Sequence, residues 1–463
     1  MKRKLLGYGA ALVAVAAGFG IWHEQMQVQA NRPDHPKYVV DPSWPRPLPN
    51  QWQIGQVPGI AVDKDDNIWI VQRMRELTND ERGADDFEQP ANPGAGNPQM
   101  RNGAPRAQGA RSDCCFPAPA VMQFDSKGRL LRAWGGPGDP EFAPPPAFVV
   151  GTPGSKCDET RGAGSCQWPT TEHGIYVDHR MNVWLGGQGG RSVLKFTKDG
   201  DFLLRIGQRL PQTRNSNDTA GADNGTPLLG QPADMEVDPG PNTPSGRDEL
   251  YIADGYTNLR IVVVDADTGE YRRHWGAYGQ NPVNDAGNVG PYIKNQPPAP
   301  HFRNPVHAVR ITKDGKVYVA DRVNDRIQVF DKRTVGRPCV PAGVGTCGFL
   351  GEFFVERDTT GNGSTWDLDV SPDRNQTYLF NADGENQYIW TLLRRTGQIL
   401  DRFGRNGRNA GQFHWVHNLA VDSNGNIYTA EVDTGKRIQK FVQRDDDGRG
   451  HGRGRDKDDD DDD

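Results

Sequence analysis

The sequence predicts an all-β protein, a six-bladed β-propeller closed by an N-terminal strand. Composition is the first reason: the 463 residues include 56 glycines and 35 prolines, about a fifth of the chain, which favours many turns and short strands. The second reason is a repeat of a strand ending near Asp, a polar turn, and a strand of the Ile-Trp or Val-Tyr type. Each repeat is too small to bury its own apolar face, so the units are expected to pack in a ring.

Six repeats are found, and each alternates apolar and polar residues between turn residues, as antiparallel hairpins do. Their first hairpins are GIAVDKDDNIWIVQR, HGIYVDHRMNVWLGG, DMEVDPGPNTPSGRDELYIAD, HAVRITKDGKVYVAD, DLDVSPDRNQTYLFNAD and NLAVDSNGNIYTAE. Later strands recur as VLKFTKDGDFLLRIG, IVVVDADTGEYRRHWG and IWTLLRRTGQILDRFG. Six such units predict six blades.

The last repeat stops after RIQKFVQ, before its fourth strand. Residues 37–56 precede the first repeat and end like a fourth strand. We therefore expect this segment to complete the last blade and close the ring, which removes exposed sheet edges.

The predicted propeller covers residues 37–443 and is interrupted in its first blade. Residues 76–119 are rich in Pro, Gly and Asn and form a predicted insertion, either a lid or a disordered excursion. Residues 444–463 are a low-complexity acidic tail and are expected to be disordered.

Residues 1–30 have the features of an export signal. Three basic residues precede an apolar run from Leu5 to Trp22, and Val28-Gln29-Ala30 is a small-residue cleavage site. The run is long enough that an uncleaved membrane anchor is the alternative. Both interpretations place the propeller in the periplasm or outside the cell.

Six cysteines agree with an oxidising compartment. Their spacing suggests two local loop disulfides, Cys157–Cys166 and Cys339–Cys347. The adjacent Cys114 and Cys115 either form a vicinal bridge or stay reduced.

The formal net charge is −6, of which the tail contributes −5. The propeller therefore has no basic excess, and we expect no nucleic-acid partner. We expect a monomer that binds a small molecule or a peptide.

One repeat position stands just ahead of the first strand of each blade, and that strand lines the central channel of a propeller. Across the six blades, this repeat position is occupied by histidine three times. The three histidines lie on alternate blades, which are about 120° apart in a six-bladed ring. In blade order the occupants are Pro58, His173, Ala233, His307, Trp366 and His417. Three converging imidazoles are typical of a catalytic zinc site with an open fourth position. The alternative is channel histidines held by hydrogen bonds or water.

Residues just past the second strand return to the same mouth of the channel. Arg73, Tyr256 and Arg322 stand there in the first, third and fourth blades. Two guanidinium groups beside a metal favour an anionic substrate, since Arg grips a carboxylate with two parallel hydrogen bonds.

A second interpretation of the arginines is structural. Asp321 and Asp325 lie close in sequence to Arg322 and Arg326. For Arg326 we prefer an ion pair with such a blade aspartate, while for Arg73 and Arg322 both interpretations stay open. Tyr256 alone is equally compatible with a packed aromatic.

Over residues 55–442 these features resemble the NHL-repeat propellers, and among them the peptidyl-α-hydroxyglycine α-amidating lyases. The resemblance is carried by HGIYVD, QPADMEVD with ADGYTNLRIV, VHAVRI with VADRVNDRIQVF, and WVHNLAVD. It implies zinc on His173, His307 and His417, catalytic roles for Arg73 and Tyr256, and substrate contact by Arg322.

The resemblance also implies a structural calcium in the channel. The matching positions are the backbone carbonyls of Ile60 and Ile175 and the side chain of Asn418, where the family has Asp. Asn keeps one neutral oxygen but lacks the charge that calcium favours. Trp415 stands where the family has a Met near the third zinc histidine.

The predicted function is a zinc-dependent lyase that cleaves a carbinolamide to an amide and glyoxylate, with Tyr256 as the base and Arg73 orienting the substrate. The alternative is a non-catalytic propeller that binds protein or glycan at the cell surface. A lactonase-type hydrolase ranks last, because such enzymes use carboxylates and Asn around calcium, whereas the ring positions here supply histidines.

Overall fold

The computed structural model describes residues 35–78, 80–83, 100–101, 104–105, 113–136, 166–209, 215–284, 289–337 and 348–444. The described residues from Lys37 to Arg444 belong to one unit. The predicted export signal, most of the predicted insertion and nearly all of the acidic tail lie outside the described residues. Within the described part, no helix has the length and apolar character needed to cross a membrane.

Six four-stranded antiparallel sheets form the six blades, which confirms the predicted propeller. The first described strands are β1 (Lys37–Asp41) and β2 (Trp52–Gln53). The first blade follows as β3 (Gln56–Val62), β4 (Ile68–Arg73), β8 (Val121–Phe124) and β9 (Leu130–Trp134). The two-residue strands β5 (Met100–Arg101), β6 (Ala104–Pro105) and β7 (Phe116–Pro117) lie between β4 and β8.

The next three blades each use four consecutive strands. Blade two has β10 (Glu172–Val177), β11 (Val183–Gly187), β12 (Ser192–Phe196) and β13 (Phe202–Gly207). Blade three has β14 (Asp234–Asp238), β15 (Glu249–Asp254), β16 (Arg260–Asp265) and β17 (Tyr271–Trp275). Blade four has β18 (Val306–Ile311), β19 (Lys316–Asp321), β20 (Arg326–Asp331) and β21 (Phe349–Phe354).

The last two blades complete the ring. Blade five has β22 (Asp367–Val370), β23 (Tyr378–Asp383), β24 (Tyr388–Leu393) and β25 (Gln398–Phe403). Blade six has β26 (Val416–Val421), β27 (Ile427–Glu431) and β28 (Ile438–Arg444) from the end of the chain, with β1 as its fourth strand.

Closure of the ring by the N-terminal strand is confirmed. β1 pairs antiparallel with β28, and Val40 lies opposite Phe441. Only Lys37–Asp41 joins the last blade. The rest of the segment 37–56 runs to the first blade, where Trp52–Gln53 pairs in parallel with Phe116–Pro117.

The recurring Asp at the end of the first strand organises the turn that follows it. In Asp63, Oδ1 accepts the backbone N–H groups of Asp65 and Asn67, both at 2.9 Å. Its Oδ2 accepts Nε1–H of Trp69 at 2.8 Å. The same pattern joins Asp178 to Trp184 and Asp422 to Tyr428. One carboxylate thus closes the turn and fixes the aromatic side chain of the second strand, which explains the repeated spacing.

Buried apolar side chains fill the interfaces between neighbouring blades. One cluster holds Trp69 of the first blade with Leu185 of the second, and another holds Trp184 of the second with Leu250 of the third. The last interface joins Tyr428 of blade six to Ile70 of blade one. The core therefore lies between blades, and the channel is left to polar residues.

Cys114 and Cys115 form a disulfide, so the bridged alternative is the one found. Cys166 is also disulfide-bonded. Cys157, Cys339 and Cys347 lie outside the described residues, and the predicted loop pairings therefore stay predictions.

Candidate functional site

The structure brings His173, His307 and His417 together at one end of the channel. They lie on the inner strands β10, β18 and β26, and only 1%, 1% and 3% of their surfaces are exposed. The pairing of each of these strands with the second strand of its blade shifts register around the histidine. Such bulges re-aim a side chain, and here the three bulged strands direct their imidazoles to one point.

The three rings form a nearly equilateral triangle. Ring centres are 5.1 Å apart for His173 and His307, and 4.8 Å apart for each of the other two pairs. One ring nitrogen from each histidine lies within 4.8 Å of the other two. Three nitrogen donors at this separation can close around a single transition-metal ion.

Hydrogen bonds to neighbouring blades fix which nitrogen faces the centre. Nδ1 of His173 lies 2.7 Å from the carbonyl of Ala233, and Nδ1 of His417 lies 2.8 Å from that of Pro58. Nδ1 of His307 contacts the carbonyl of Trp366 in the same way. A carbonyl only accepts, so each Nδ1 carries the proton and each Nε2 keeps a free electron pair. This is the orientation that metal-binding histidines require.

The surroundings also keep these rings neutral. Burial is the largest cause that lowers the pKa of all three, and it lowers that of His417 to about 3. The charge of Arg73 or Arg322 adds to the effect. Neutral imidazole is the ligating form, so the surroundings hold the three rings in the state that can bind a metal.

Tyr256 borders the point on which the imidazoles converge. Its hydroxyl lies 2.9 Å from Nε2 of His173 and 3.1 Å from Nε2 of His307. A Cβ on the preceding Gly255 would lie 1.9 Å from the carbonyl oxygen of Val306. Only glycine permits that close approach, which carries the tyrosine into the channel mouth.

Polar residues at the ends of the second strands hold the loops that carry these groups. Asp254, at the end of β15, accepts Nε–H of Arg260 at 2.9 Å and the backbone N–H of Gly230 at 2.6 Å. Asp321, at the end of β19, accepts Nε–H of Arg326 at 2.7 Å. Ion pairing of Arg326 with a blade aspartate, the preferred interpretation of the sequence, is therefore what the structure shows.

Arg322 lies against the same centre and forms no ion pair with the residues that the structure describes. Its Nη1 donates to the hydroxyl of Tyr256 at 3.4 Å, and its guanidinium lies 4.5 Å from the ring centre of Trp366. The buried Nε has no hydrogen-bond partner among the described residues. An unpaired donor next to the histidines is suited to an anionic ligand.

Arg73 reaches the site from the first blade. Its Nε donates to the backbone carbonyl of Glu172 at 2.8 Å and its Nη1 to Oε1 of Gln56 at 3.1 Å. Within the described residues, no carboxylate forms an ion pair with Arg73 or Arg322. The structural interpretation of these two arginines is therefore not supported by an aspartate partner.

The implied calcium ligands fit that ion poorly. The side-chain oxygen of Asn418 accepts a hydrogen bond from Nδ1 of its neighbour His417, and its Nδ2 donates to Asp367 at 3.0 Å. Calcium takes six to eight oxygen ligands and favours carboxylates. A neutral amide that is already bonded on both sides offers it little.

Three contributors to the site were not identified from the sequence. Gln56 and Glu172 hold Arg73, and Trp366 supports Arg322 and also packs edge-on against Trp415, with ring centres 5.4 Å apart. Trp366 occupies the same repeat position as the histidines, so that position could have identified it as a residue of the site. No sequence pattern marked Gln56 or Glu172.

Comparisons with known proteins agree with the resemblance at modest identity. The peptidyl-α-hydroxyglycine α-amidating lyase 1 of Drosophila melanogaster is 27% identical over 294 residues, covering 59% of this chain and 44% of the fly protein. NHL repeat-containing protein 3 of Homo sapiens is 26% identical over 226 residues, covering 47% and 46%. The peptidyl-glycine α-amidating monooxygenase B of Xenopus laevis is 28% identical over 269 residues, covering 56% and 25%. The chain thus spans less than half the length of these relatives.

No protein-family model matches the chain. Among solved structures, a streptogramin B lyase has a TM-score of 0.42 at 12% identity, covering 89% of this chain and 98% of that one. The WD40 β-propeller domain of Doa1 has a TM-score of 0.43 at 9% identity, with the same two coverages.

Proposed function

We propose that this protein is a zinc-dependent lyase that cleaves peptidyl-α-hydroxyglycine or a related carbinolamide, releasing an amide and glyoxylate. The observation that carries the proposal is the position of the Tyr256 hydroxyl, on the open side of three converging histidines and beside Arg322. The curated relatives named as amidating enzymes support the same reaction class.

The three histidines would hold the zinc ion through Nε2. When bound, zinc supplies a Lewis acid that lowers the pKa of a hydroxyl in the open position. The donor set fits this ion because it consists of three neutral nitrogens whose orientation is fixed by backbone carbonyls.

The remaining steps belong to the protein's side chains. Tyr256, as the phenolate that the neighbouring Arg322 would stabilise, accepts the proton of the substrate hydroxyl. The oxygen electrons then form the aldehyde carbonyl, the carbon–nitrogen bond breaks, and its electron pair leaves on the amide nitrogen. That nitrogen takes up the proton that Tyr256 accepted, which regenerates the base. The spare N–H of Arg322 and the guanidinium of Arg73 bind and orient the substrate carboxylate.

The proposal includes the compartment and the partners. The protein would act in the periplasm or outside the cell, as a monomer, on a small molecule or a peptide with a carboxylate. The export signal predicted for residues 1–30 supports this placement.

Two measurements on one preparation test the proposal. Elemental analysis should find one zinc per chain, and a peptide ending in α-hydroxyglycine should release glyoxylate faster with the zinc-loaded protein than without it. His307→Ala should abolish both signals. His274→Ala changes a histidine outside the channel that contacts Asn217 and should preserve them.

Zinc-loaded protein that produces no glyoxylate above the uncatalysed rate would reject the amidating activity. If the protein contained no zinc and released no glyoxylate but bound a protein or a glycan, the non-catalytic alternative would be favoured.

A further inference from the structure

Arg310 lies in the channel beneath the histidines, three residues after His307 on the inner strand of blade four. Its Nη1 donates to Oδ2 of Asp234 at 2.6 Å, and its Nη2 donates to Oδ1 of Asp367 at 3.0 Å. The two carboxylates come from the inner strands of blades three and five. One guanidinium therefore joins three consecutive blades, with 13% of the Arg310 side chain exposed.

The carboxylates around Arg310 also connect neighbouring inner strands. Asp234 and Glu236 of blade three accept backbone N–H groups of Val309 and Ile311 in blade four, both at 3.0 Å. Blades five and six repeat the arrangement: Asp367 accepts the N–H of Leu419 at 3.0 Å, and Asp369 accepts that of Val421 at 2.8 Å. These bonds hold the inner strands in register around the channel.

Two buried carboxylates, Asp234 and Asp367, and two half-buried ones, Glu236 and Asp369, surround Arg310, and such groups favour a compensating positive charge. Burial raises the pKa of Glu236 to about 8 and that of Asp367 to about 7, and the positive charge of Arg310 opposes the shift in both. The acidic groups in turn raise the pKa of Arg310 well above its ordinary value. Within the described residues, only the three histidines form a converging metal-ligand group. The carboxylates here are arranged around a guanidinium.

This arrangement differs from the calcium site that the family resemblance implies. The side chain at the implied calcium position, Asn418, is neutral and donates to Asp367, which also accepts from Arg310. At this level of the channel, the side chain of Arg310 thus supplies the positive charge and the links between blades that a calcium ion would otherwise provide.

We propose that the Arg310 guanidinium is the resident cation of the channel and braces the blades in place of a calcium ion. The folded protein then requires no calcium. This inference is independent of the lyase activity, because it concerns the charge balance below the histidines.

The first test uses the full chain, dialysed into calcium-free buffer. Elemental analysis should find far less than one calcium per chain, and millimolar calcium chloride should leave the midpoint of thermal unfolding unchanged. One tightly held calcium per chain, or a saturable rise in the midpoint, would overturn the proposal.

The second test removes the guanidinium. Arg310→Met leaves the carboxylates uncompensated, so its unfolding midpoint should fall and should partly recover when calcium chloride is added. Arg273→Met is the matched control, since Arg273 is buried but pairs with Glu249 inside blade three. It should be destabilised without a response to calcium.

If Arg310→Met does not fold, Arg310→Lys keeps one charge but cannot bridge both carboxylates as a fork. It should fold with a lower midpoint and an unchanged metal content at the histidines. Wild-type stability in either variant would show that the guanidinium does not brace the blades.

Discussion

At the scale of single residues, the site depends on hydrogen bonds that cross between blades. The proton on Nδ1 of each histidine is assigned by a carbonyl in the next blade, at Ala233, Trp366 or Pro58. The repeat predicted the three histidines because equivalent positions in a closed ring face its axis. It could not predict the contact of Arg73 with Glu172, since that contact depends on how two blades are rotated against each other.

Replacing Tyr256 by Phe separates catalysis from metal binding. The change removes the hydroxyl that contacts His173 and His307 and leaves all three imidazoles in place. Turnover should fall by roughly the 10²–10⁴-fold typical of a general base, with zinc content unchanged. Tyr388→Phe, on an outer strand of blade five, is the matched control and should retain wild-type turnover. Loss of zinc in the Tyr256 variant would contradict the assigned role.

Asp325 gives a prediction about pH. Its Oδ1 accepts two hydrogen bonds from Ser364, whereas its buried Oδ2 has no partner among the described residues. Burial raises the pKa of this carboxyl from its ordinary value of 3.8 to about 8. The folded state therefore favours the neutral acid, and its contribution to stability is greatest below about pH 4 and is lost as pH rises through about 8.

Asp325→Asn should remove this dependence. The unfolding free energy of the variant relative to wild type should rise steadily between about pH 5 and pH 8 in chemical denaturation. Asp373→Asn is the control, because hydrogen bonds from Ser371 and Thr377 lower the pKa of Asp373. The difference in unfolding free energy between this variant and wild type should stay constant between about pH 5 and pH 8 and change only at more acidic pH. If the difference in unfolding free energy between Asp325→Asn and wild type did not change with pH, this carboxyl would ionise as readily in the folded chain as in the unfolded chain.

At the scale of strands, the repeat defined which elements exist, and ring closure defined how they pair. The turn carboxylates Asp63, Asp178 and Asp422 act locally, so they could be recognised from spacing alone. The pairing of β1 with β28 could be expected because the sixth repeat lacked a fourth strand. The parallel contact of Trp52–Gln53 with Phe116–Pro117 had no such signal, because it joins two irregular segments.

Removing β1 should weaken the whole ring. A chain that begins at Pro42 leaves β28 as an exposed edge and uncovers Phe380 and Phe403, both of which contact Tyr38. The unfolding midpoint should fall, by roughly 1 °C per kcal/mol for a domain of about 400 residues at about 2.1 cal/mol/K of unfolding entropy per residue, and aggregation should increase. A chain that begins at His35 keeps β1 and serves as the control. Equal midpoints for the two chains would contradict closure by this strand.

At the scale of the whole molecule, residues more than two hundred positions apart meet because the ring is closed. His173, His307 and His417 occupy blades two, four and six, so every second blade contributes one ring nitrogen to the cluster. That convergence followed from the repeat count. The charge balance deeper in the channel did not. Asp234 and Asp367 each follow the ring position directly, and Glu236, Arg310 and Asp369 each stand three residues after it. The hydrogen bonds that join these groups run between blades, so a single repeat does not reveal them.

The alternate-blade arrangement predicts that zinc stabilises the entire propeller. The folded ring brings the three nitrogens together, whereas the unfolded chain holds them far apart, so we expect zinc to bind the folded state preferentially. At free zinc about 100 times the dissociation constant, stability should rise by about 2.7 kcal/mol. The unfolding midpoint should therefore increase with zinc concentration in one cooperative transition, measured by calorimetry.

A variant that lacks one ligand distinguishes this linkage from weak binding elsewhere. In His307→Ala the zinc-dependent rise should disappear, because two nitrogens from blades two and six no longer enclose the ion. In His414→Ala, which removes a histidine that contacts Thr434 outside the cluster, the rise should persist. If His307→Ala gained as much stability from zinc as the wild type, the ion would bind away from the channel. The histidines would then be held by their hydrogen-bond partners without a metal.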